Sequence, residues 1–205
     1  DPTQGKIEVD GVDLREIDSE TWRRHVCVVS QVTHLFDATV AENIARFGQT
    51  DSKKVIEAAN LAGVHEMILA LPDGYETDVG PNGDRLSLGQ RQRIGLARAV
   101  FGKPTYVVLD EPNSNLDSAG DAALLTALKS LMAVGTTIVI VSHRSEVLKA
   151  AQKVLVIQNG TVANFGDRET VLRPVKPVTK KPQQEKTPRQ KVIVAAAGVK
   201  DANNE

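Results

Sequence analysis

Sulfur and aromatic rings are scarce in this sequence. A single cysteine in 205 residues allows no internal disulfide and fits a reducing compartment. Cys27 lies in the apolar run Val26-Cys27-Val28-Val29, where a small buried core residue is the expected reading. The seven aromatic residues are scattered from Trp22 to Phe165, which argues against a platform for stacking bases. No stretch approaches the ~18–20 consecutive apolar residues of a membrane span. No initiator methionine or signal peptide opens the chain, so it reads as part of something longer. An excess of one charge is also missing: the formal net charge is −1. It is unevenly spread, because Pro174 to Glu205 carries seven Lys/Arg against three Asp/Glu, which leaves residues 1–173 at −5. An acidic body of that kind argues against nucleic acid as a partner.

What is present reads as one core and a tail. Residues 1–173 combine continuous apolar runs with helical apolar stripes, as an α/β domain does. From Pro174 to Glu205, Pro, Lys and Gln dominate, and a disordered tail is expected. Within the tail, Val192–Val199 is apolar but far too short to cross a membrane. No internal repeat is visible.

Two segments set the architecture. Thr105 to Leu109 is a continuous apolar run that stops at Asp110-Glu111, and Thr136 to Val141 stops in the same way at Ser142-His143. Runs of this kind predict central strands of a parallel sheet, covered by helices on both faces. Between them, Ala122, Leu124, Leu125, Leu128 and Leu131 form a helical stripe over Ser118–Met132, which completes a strand–helix–strand unit. Polar residues at the carboxyl ends of such strands lie where open α/β sheets bind ligands.

The remaining elements are coarser. Strands are expected at Lys6–Val9 and Val26–Ser30, and short helices at 40–47, 52–62 and 64–70. A longer helix is expected at Leu88–Phe101, closed by Gly102-Lys103-Pro104. Lys153–Gln158 and Thr161–Phe165 flank Asn159-Gly160, a hairpin signal.

Chemistry concentrates in four places. Asp110 and Glu111 are adjacent carboxylates at a buried strand's end, which is costly unless a cation or a proton transfer uses them. Alone, Asp-Glu after a strand is also an ordinary loop, and His143 alone is also an ordinary structural histidine. Leu86-Ser87-Leu88-Gly89-Gln90 places a hydroxyl and a glycine at a helix start, where backbone N–H groups and the helix dipole attract phosphate. That pattern alone is also a plain helix cap. The order is what discriminates: Ser87-Leu88-Gly89-Gln90, then Tyr106 to Pro112, then Asn115-Leu116-Asp117, then Ser142-His143.

In that order and spacing the sequence resembles the ABC ATPase family from residue 1 to about 173. Leu86–Gln90 matches the family signature, Tyr106–Asp110 the Walker B strand, Glu111 the catalytic glutamate, Ser114–Asp117 the D-loop, His143 the switch histidine and Gln31 the Q-loop. The resemblance implies a P-loop NTPase-like α/β fold, a parallel sheet core with an inserted helical signature subdomain at about 37–100. It implies ATP and Mg²⁺ as cofactors, with Asp110 holding Mg²⁺ through water and Gln31 sensing Mg²⁺ and the γ-phosphate. Glu111 would polarise the attacking water and His143 would contact the γ-phosphate. Ser87, Gly89, Gln90 and Asp117 would bind nucleotide, Ser87 and Gly89 through a second copy of the domain placed head to tail.

A finer match is to exporters. Leu35 to Phe47, Leu71 to Thr77 and Asn113 to Asp117 resemble the type I secretion ATPases that export proteases and lipases from Gram-negative bacteria. That resemblance implies a transmembrane domain on the same chain, an adaptor protein and an outer-membrane channel. It places the ATPase on the cytoplasmic face of the inner membrane. Two other classes compete: a non-transport ABC ATPase of DNA repair or translation, and a non-catalytic regulatory half-site. Gln31 to Leu86 lacks the basic runs of the first, and Glu111 and His143 are present, against the second. The sequence departs from the family at three points. The phosphate loop Gly-x-x-x-x-Gly-Lys-Ser/Thr is absent, its family position being upstream of a segment like Asp1–Gly5, so truncation is the expected cause. Leu88 replaces the first glycine of the signature, and Pro81 a glutamate common in exporters.

Overall fold

The computed structural model describes residues 2–48, 51–172 and, as backbone, 191–196. The chain opens on a two-stranded hairpin, β1 (Glu8–Val9) and β2 (Val12–Asp13). Its two-residue loop is Asp10-Gly11, both at positive φ (52° and 82°), as a tight hairpin of right-twisted strands requires. The first strand begins at Glu8 and not at the expected Lys6, and the hairpin that follows was not among the expected elements, although Asp-Gly signals one.

Helix α1 (Ser19–His25) follows, also unforeseen. Asp18 caps it by accepting from the Thr21 N–H at 2.8 Å, and Arg23, Arg24 and His25 oppose the negative end of its dipole. Strand β3 (Val26–Val29) leads to helices α2 (Val40–Ile44), α3 (Ser52–Leu61), α4 (His65–Leu69) and α5 (Leu88–Val100). All four lie within a residue or a few of where apolar spacing placed them. Strand β4 (Tyr106–Asp110), helix α6 (Ser118–Ala133) and β5 (Thr137–Val141) form the expected strand–helix–strand unit. A short helix α7 (Ser145–Ala150) then precedes the hairpin of β6 (Lys153–Gln158) and β7 (Thr161–Asp167), and α8 (Arg168–Val171) ends the continuous part.

The six-stranded sheet has the order β3-β4-β5-β8-β6-β7, β8 being Lys191–Ala196. Strands β3, β4 and β5 run parallel. Strand β8 runs antiparallel to both β5 and β6, so β6 points the same way as β5. Here the expected disorder of 174–205 is corrected: Lys191–Ala196 lies inside the sheet, where an apolar β-branched run can satisfy two ladders at once. The rest of the tail lies outside the described residues.

The sheet is not covered equally on its two faces, contrary to the expectation of strands buried on both sides. Val29, Val107, Leu109, Ile138 and Ile140 are buried against the helices. On the opposite face Val108, Val139 and Val141 are half-buried and Val28 is 61% exposed, with Trp22 reaching Tyr106 at the margin. Cys27, expected in the core, is half-buried and free, at the edge of the hydrophobic cluster.

One buried polar side chain organises the approach to the helices. Asn43 is fully buried in α2; its Oδ1 accepts from the Phe36 N–H (2.9 Å) and its Nδ2 donates to the carbonyls of Phe36 and Thr39 (3.0 Å each). It thereby gives the Phe36 backbone its partners and adds a second donor to the Thr39 carbonyl, which already accepts from the Asn43 N–H. Asn43→Leu keeps the volume and strips those partners. It is expected to cost about 1–3 kcal/mol of unfolding free energy in urea titrations.

Candidate functional site

Register brings the candidate residues together. Val29 of β3 pairs with Leu109, and Asp110 pairs with Val141 of β5. The three parallel strands therefore end at nearly one level, with Gln31 two residues past β3, Asp110 and Glu111 at the end of β4, and His143 two residues past β5. Asp110 and Gln31 are exposed.

Glu111 is held on every side. Its N–H donates to the Val141 carbonyl at 2.8 Å, which extends the β4–β5 ladder by one bond. Its carbonyl accepts from the Ser114 N–H (3.1 Å) and from the Gln92 side chain (3.3 Å), tying the turn to helix α5. Its Oε1 lies 2.8 Å from His143 Nδ1, and since a carboxylate can only accept, that contact places the hydrogen on Nδ1. The pair is unequal in exposure, with the Glu111 side chain 23% and the His143 side chain 66% exposed. Glu111 sits at φ 49°, a left-handed backbone conformation that costs a residue with a Cβ about 1–2 kcal/mol. Strain of this kind gathers at functional sites, and here four hydrogen bonds enforce it. The loop carrying His143 is anchored in turn. Arg144 donates its N–H to Ser142 Oγ (3.2 Å), and its guanidinium pairs with Asp121 of α6 at 3.2 Å.

The signature segment sits apart from this pair. Ser87 caps α5 in a reciprocal box: Ser87 Oγ accepts from the Gln90 N–H (3.2 Å) while Gln90 Oε1 accepts from the Ser87 N–H (2.8 Å). Gly89 lies against the loop after Glu111, where a Cβ would stand 3.2 Å from the Asn115 carbonyl oxygen. Leu88 occupies the first helical position and is 54% exposed. Asp117, grouped with the nucleotide contacts from sequence, caps α6 by accepting from the Gly120 N–H at 2.7 Å. Gln92 was missed by sequence reasoning. It is 3% exposed on α5, and a polar residue at an apolar helix position was the available signal.

Comparisons with known proteins place the chain in a family. A family model described as ABC transporter matches residues 1–114. The type I secretion system ATP-binding protein PrsD of Rhizobium meliloti (strain 1021) is 43% identical over 170 residues, 82% of this chain and 29% of that protein. The ATP-dependent lipid A-core flippase of Legionella pneumophila (strain Paris) is 41% identical over 172 residues, 83% of this chain and 29% of that one. A solved bacterial Atm1-family ABC exporter with ATP bound superposes with a TM-score of 0.76 at 31% identity, covering 84% of this chain and 30% of that one. This chain belongs to the ABC transporter family, and its α/β fold is the P-loop type found in the exporters. It spans under a third of the length of these relatives.

The left-handed backbone at 111 sets an expectation independent of chemistry. Glycine normally loses to alanine in a folded chain, but at φ 49° the order should invert. Glu111→Gly is expected to be more stable than Glu111→Ala by about 1 kcal/mol in chemical denaturation of this chain.

Proposed function

We propose that this chain is the ATP-hydrolysing motor domain of an exporter. The observation that carries the reading is the Glu111–His143 pair at the ends of adjacent parallel strands, beside Asp110. In this reading Glu111 is the general base, an ionised carboxylate that takes a proton from the attacking water. His143 holds the Glu111 carboxylate from one side and meets the terminal phosphate with the rest of its ring. Asp110 and Gln31 are the metal-side residues. Their oxygens are hard donors that suit Mg²⁺, an ion that keeps several waters and takes phosphate oxygens as further ligands. When bound, Mg²⁺ would neutralise charge on the phosphates.

Ser87, Gly89 and Gln90, with the start of α5, face the terminal phosphate held by a second copy of the domain, head to tail. Asp117 supports this surface by capping α6. The finer proposal concerns cargo and setting: type I protein secretion from the cytoplasmic face of the inner membrane, with a transmembrane domain on the same chain, an adaptor and an outer-membrane channel. The match to PrsD supports it. Flippases at nearly the same identity make lipid the alternative cargo, and the discriminating experiment is stimulation of the longer protein's ATPase by protease or lipase polypeptide against lipid A.

Two expectations test the motor. Residues 1–205 contain no Gly-x-x-x-x-Gly-Lys-Ser/Thr loop, so this chain alone is expected to show no magnesium-dependent turnover in a phosphate-release assay. In the longer protein, Glu111→Gln is expected to lower kcat about 10²–10⁴-fold while ATP binding and dimerisation survive. Near-normal turnover in that variant would move the base elsewhere.

The signature makes a sharper demand. Leu88 is exposed and packs into no part of the core, so Leu88→Gly in the longer protein should change kcat/KM by less than about tenfold, some 1.4 kcal/mol. Gly89→Asp should abolish ATP-driven dimerisation, because it sets a carboxylate against phosphate and a Cβ against Asn115. A hundredfold gain from Leu88→Gly would favour the regulatory reading instead.

A further inference from the structure

Gln92 has no task in the motor reading, and its burial is costly. It lies on α5, 3% exposed, on a helix whose other buried residues are apolar or glycine. A carbonyl only accepts, so the side-chain amide must turn its nitrogen to the Glu111 carbonyl, to which Nε2 donates at 3.3 Å. That leaves Oε1 buried and without a partner among the described residues. An orphaned buried acceptor costs free energy that a methionine of similar size would not. Packing alone therefore does not account for an amide at this position. What the amide supplies, and methionine lacks, is the donor to Glu111.

The chain around that carbonyl shows why it needs a donor. Residue 112 is proline, so the peptide joining 111 to 112 has no N–H, and its carbonyl is the one polar handle on it. A residue before proline is pushed towards extended backbone, yet Glu111 stands at φ 49°. Two donors on one oxygen hold the peptide against that preference, the Ser114 N–H at 3.1 Å and Gln92 Nε2. Ser114 belongs to the same turn and moves with it. Gln92 reaches in from α5, a helix fixed by the burial of Ile94, Leu96, Ala97 and Val100. One helical turn earlier on the same face, Gly89 abuts the Asn115 carbonyl, so α5 and the loop 111–117 meet at two points. The Glu111 N–H is committed to Val141 and its carbonyl to Gln92, which fixes both ends of the residue and with them the direction of its side chain. That direction carries Oε1 to 2.8 Å from His143 Nδ1.

We infer that Gln92 is a positioning residue for the proposed hydrolysis: by holding the 111–112 peptide it aims the Glu111 carboxylate at His143 and at the attacking water. Its effect runs through Glu111. The inference rests on the motor reading for what Glu111 does, and not for how Gln92 holds it.

Gln92→Met keeps the volume and removes the donor. In chain 1–205 its urea midpoint should match or exceed that of the wild type, because the orphaned carbonyl leaves with the amide. The nitrogen-15 shifts of the His143 ring in alkaline buffer should report the change. The wild type holds its hydrogen on Nδ1, and the variant should move towards a mixture of the two tautomers. A stable variant with an unmoved His143 signal would overturn the inference. Gln92→Leu gives the same reading should the methionine variant not fold. Failure of both to fold would make Gln92 a stability residue and overturn the inference as well.

In the longer protein, Gln92→Met should lower kcat about 10²-fold, the scale of an ångström's misplacement, with KM for ATP unchanged. The same substitution should cost nothing further in a Glu111→Gln background, since the residue it acts through is already disabled. An additive loss there would overturn the inference, and so would normal turnover of Gln92→Met beside a disabled Glu111→Gln. Failure of the motor role looks different. A His143 signal that moves in 1–205, beside near-normal turnover of both variants in the longer protein, would keep the hold of Gln92 on Glu111 and remove Glu111 as the base.

Discussion

The parallel ladder of β3, β4 and β5 is the constraint on which the rest of the structure depends. Its hydrogen bonds fix Val29, Leu109 and Ile140 in one row and so bring three chain segments, far apart in sequence, to a common finishing line. Past that line each strand releases polar residues: Ser30-Gln31, Asp110-Glu111 and Ser142-His143. A slip of one residue in β4 would turn Leu109 out of the core and Asp110 into it. The register is therefore held by burial. Leu109, Val107, Ile138 and Ile140 keep their places because the buried face of the sheet is packed by apolar side chains of the helices. The Thr136 hydroxyl donates to the Pro104 carbonyl at 3.1 Å, both residues being buried, and pins the starts of β4 and β5 together.

How much of this could be read from sequence depended on whether the signal was local. The runs 105–109 and 136–141 announced themselves by composition, and the stripe at 118–132 by period. Their termini named Asp110, Glu111 and His143 in advance, and the structure sets the last two in contact. Residues acting across the fold were not legible. Nothing near Asn43 says that it will satisfy the backbone of residues 36 and 39, and nothing near Gln92 says that it will reach the carbonyl of Glu111. Local signals were also passed over. Asp10-Gly11 marks a hairpin as clearly as Asn159-Gly160 does, and Asp18 with a basic last turn marks α1. The tail failed for a different reason. Its Pro- and Lys-rich composition argues for disorder, but five apolar residues behind a lysine are enough for a strand when two open edges await it, and composition does not know of the edges.

Phosphate sites at helix starts are easily over-read, and the proposed phosphate role of the signature segment has to coexist with its role as a helix cap. The Ser87–Gln90 box consumes the Gln90 and Ser87 N–H groups and one lone pair of the Ser87 oxygen. The Ser87 hydroxyl hydrogen and the first N–H groups of α5, at Leu88 and Gly89, are what an outside anion would meet, with the helix dipole behind them. The box thus fixes the orientation of the hydroxyl and leaves its donor side for the phosphate proposed to arrive from a second copy. On the proposed reading Gly89 carries two demands at once, since a side chain there would press on the Asn115 carbonyl from within and on the proposed anion from without. Leu88, 54% exposed at the first helical position, carries no such packing demand. On this argument a signature can lose its first glycine and keep its geometry. What it cannot lose is the glycine that lets α5 begin against the loop that carries Glu111.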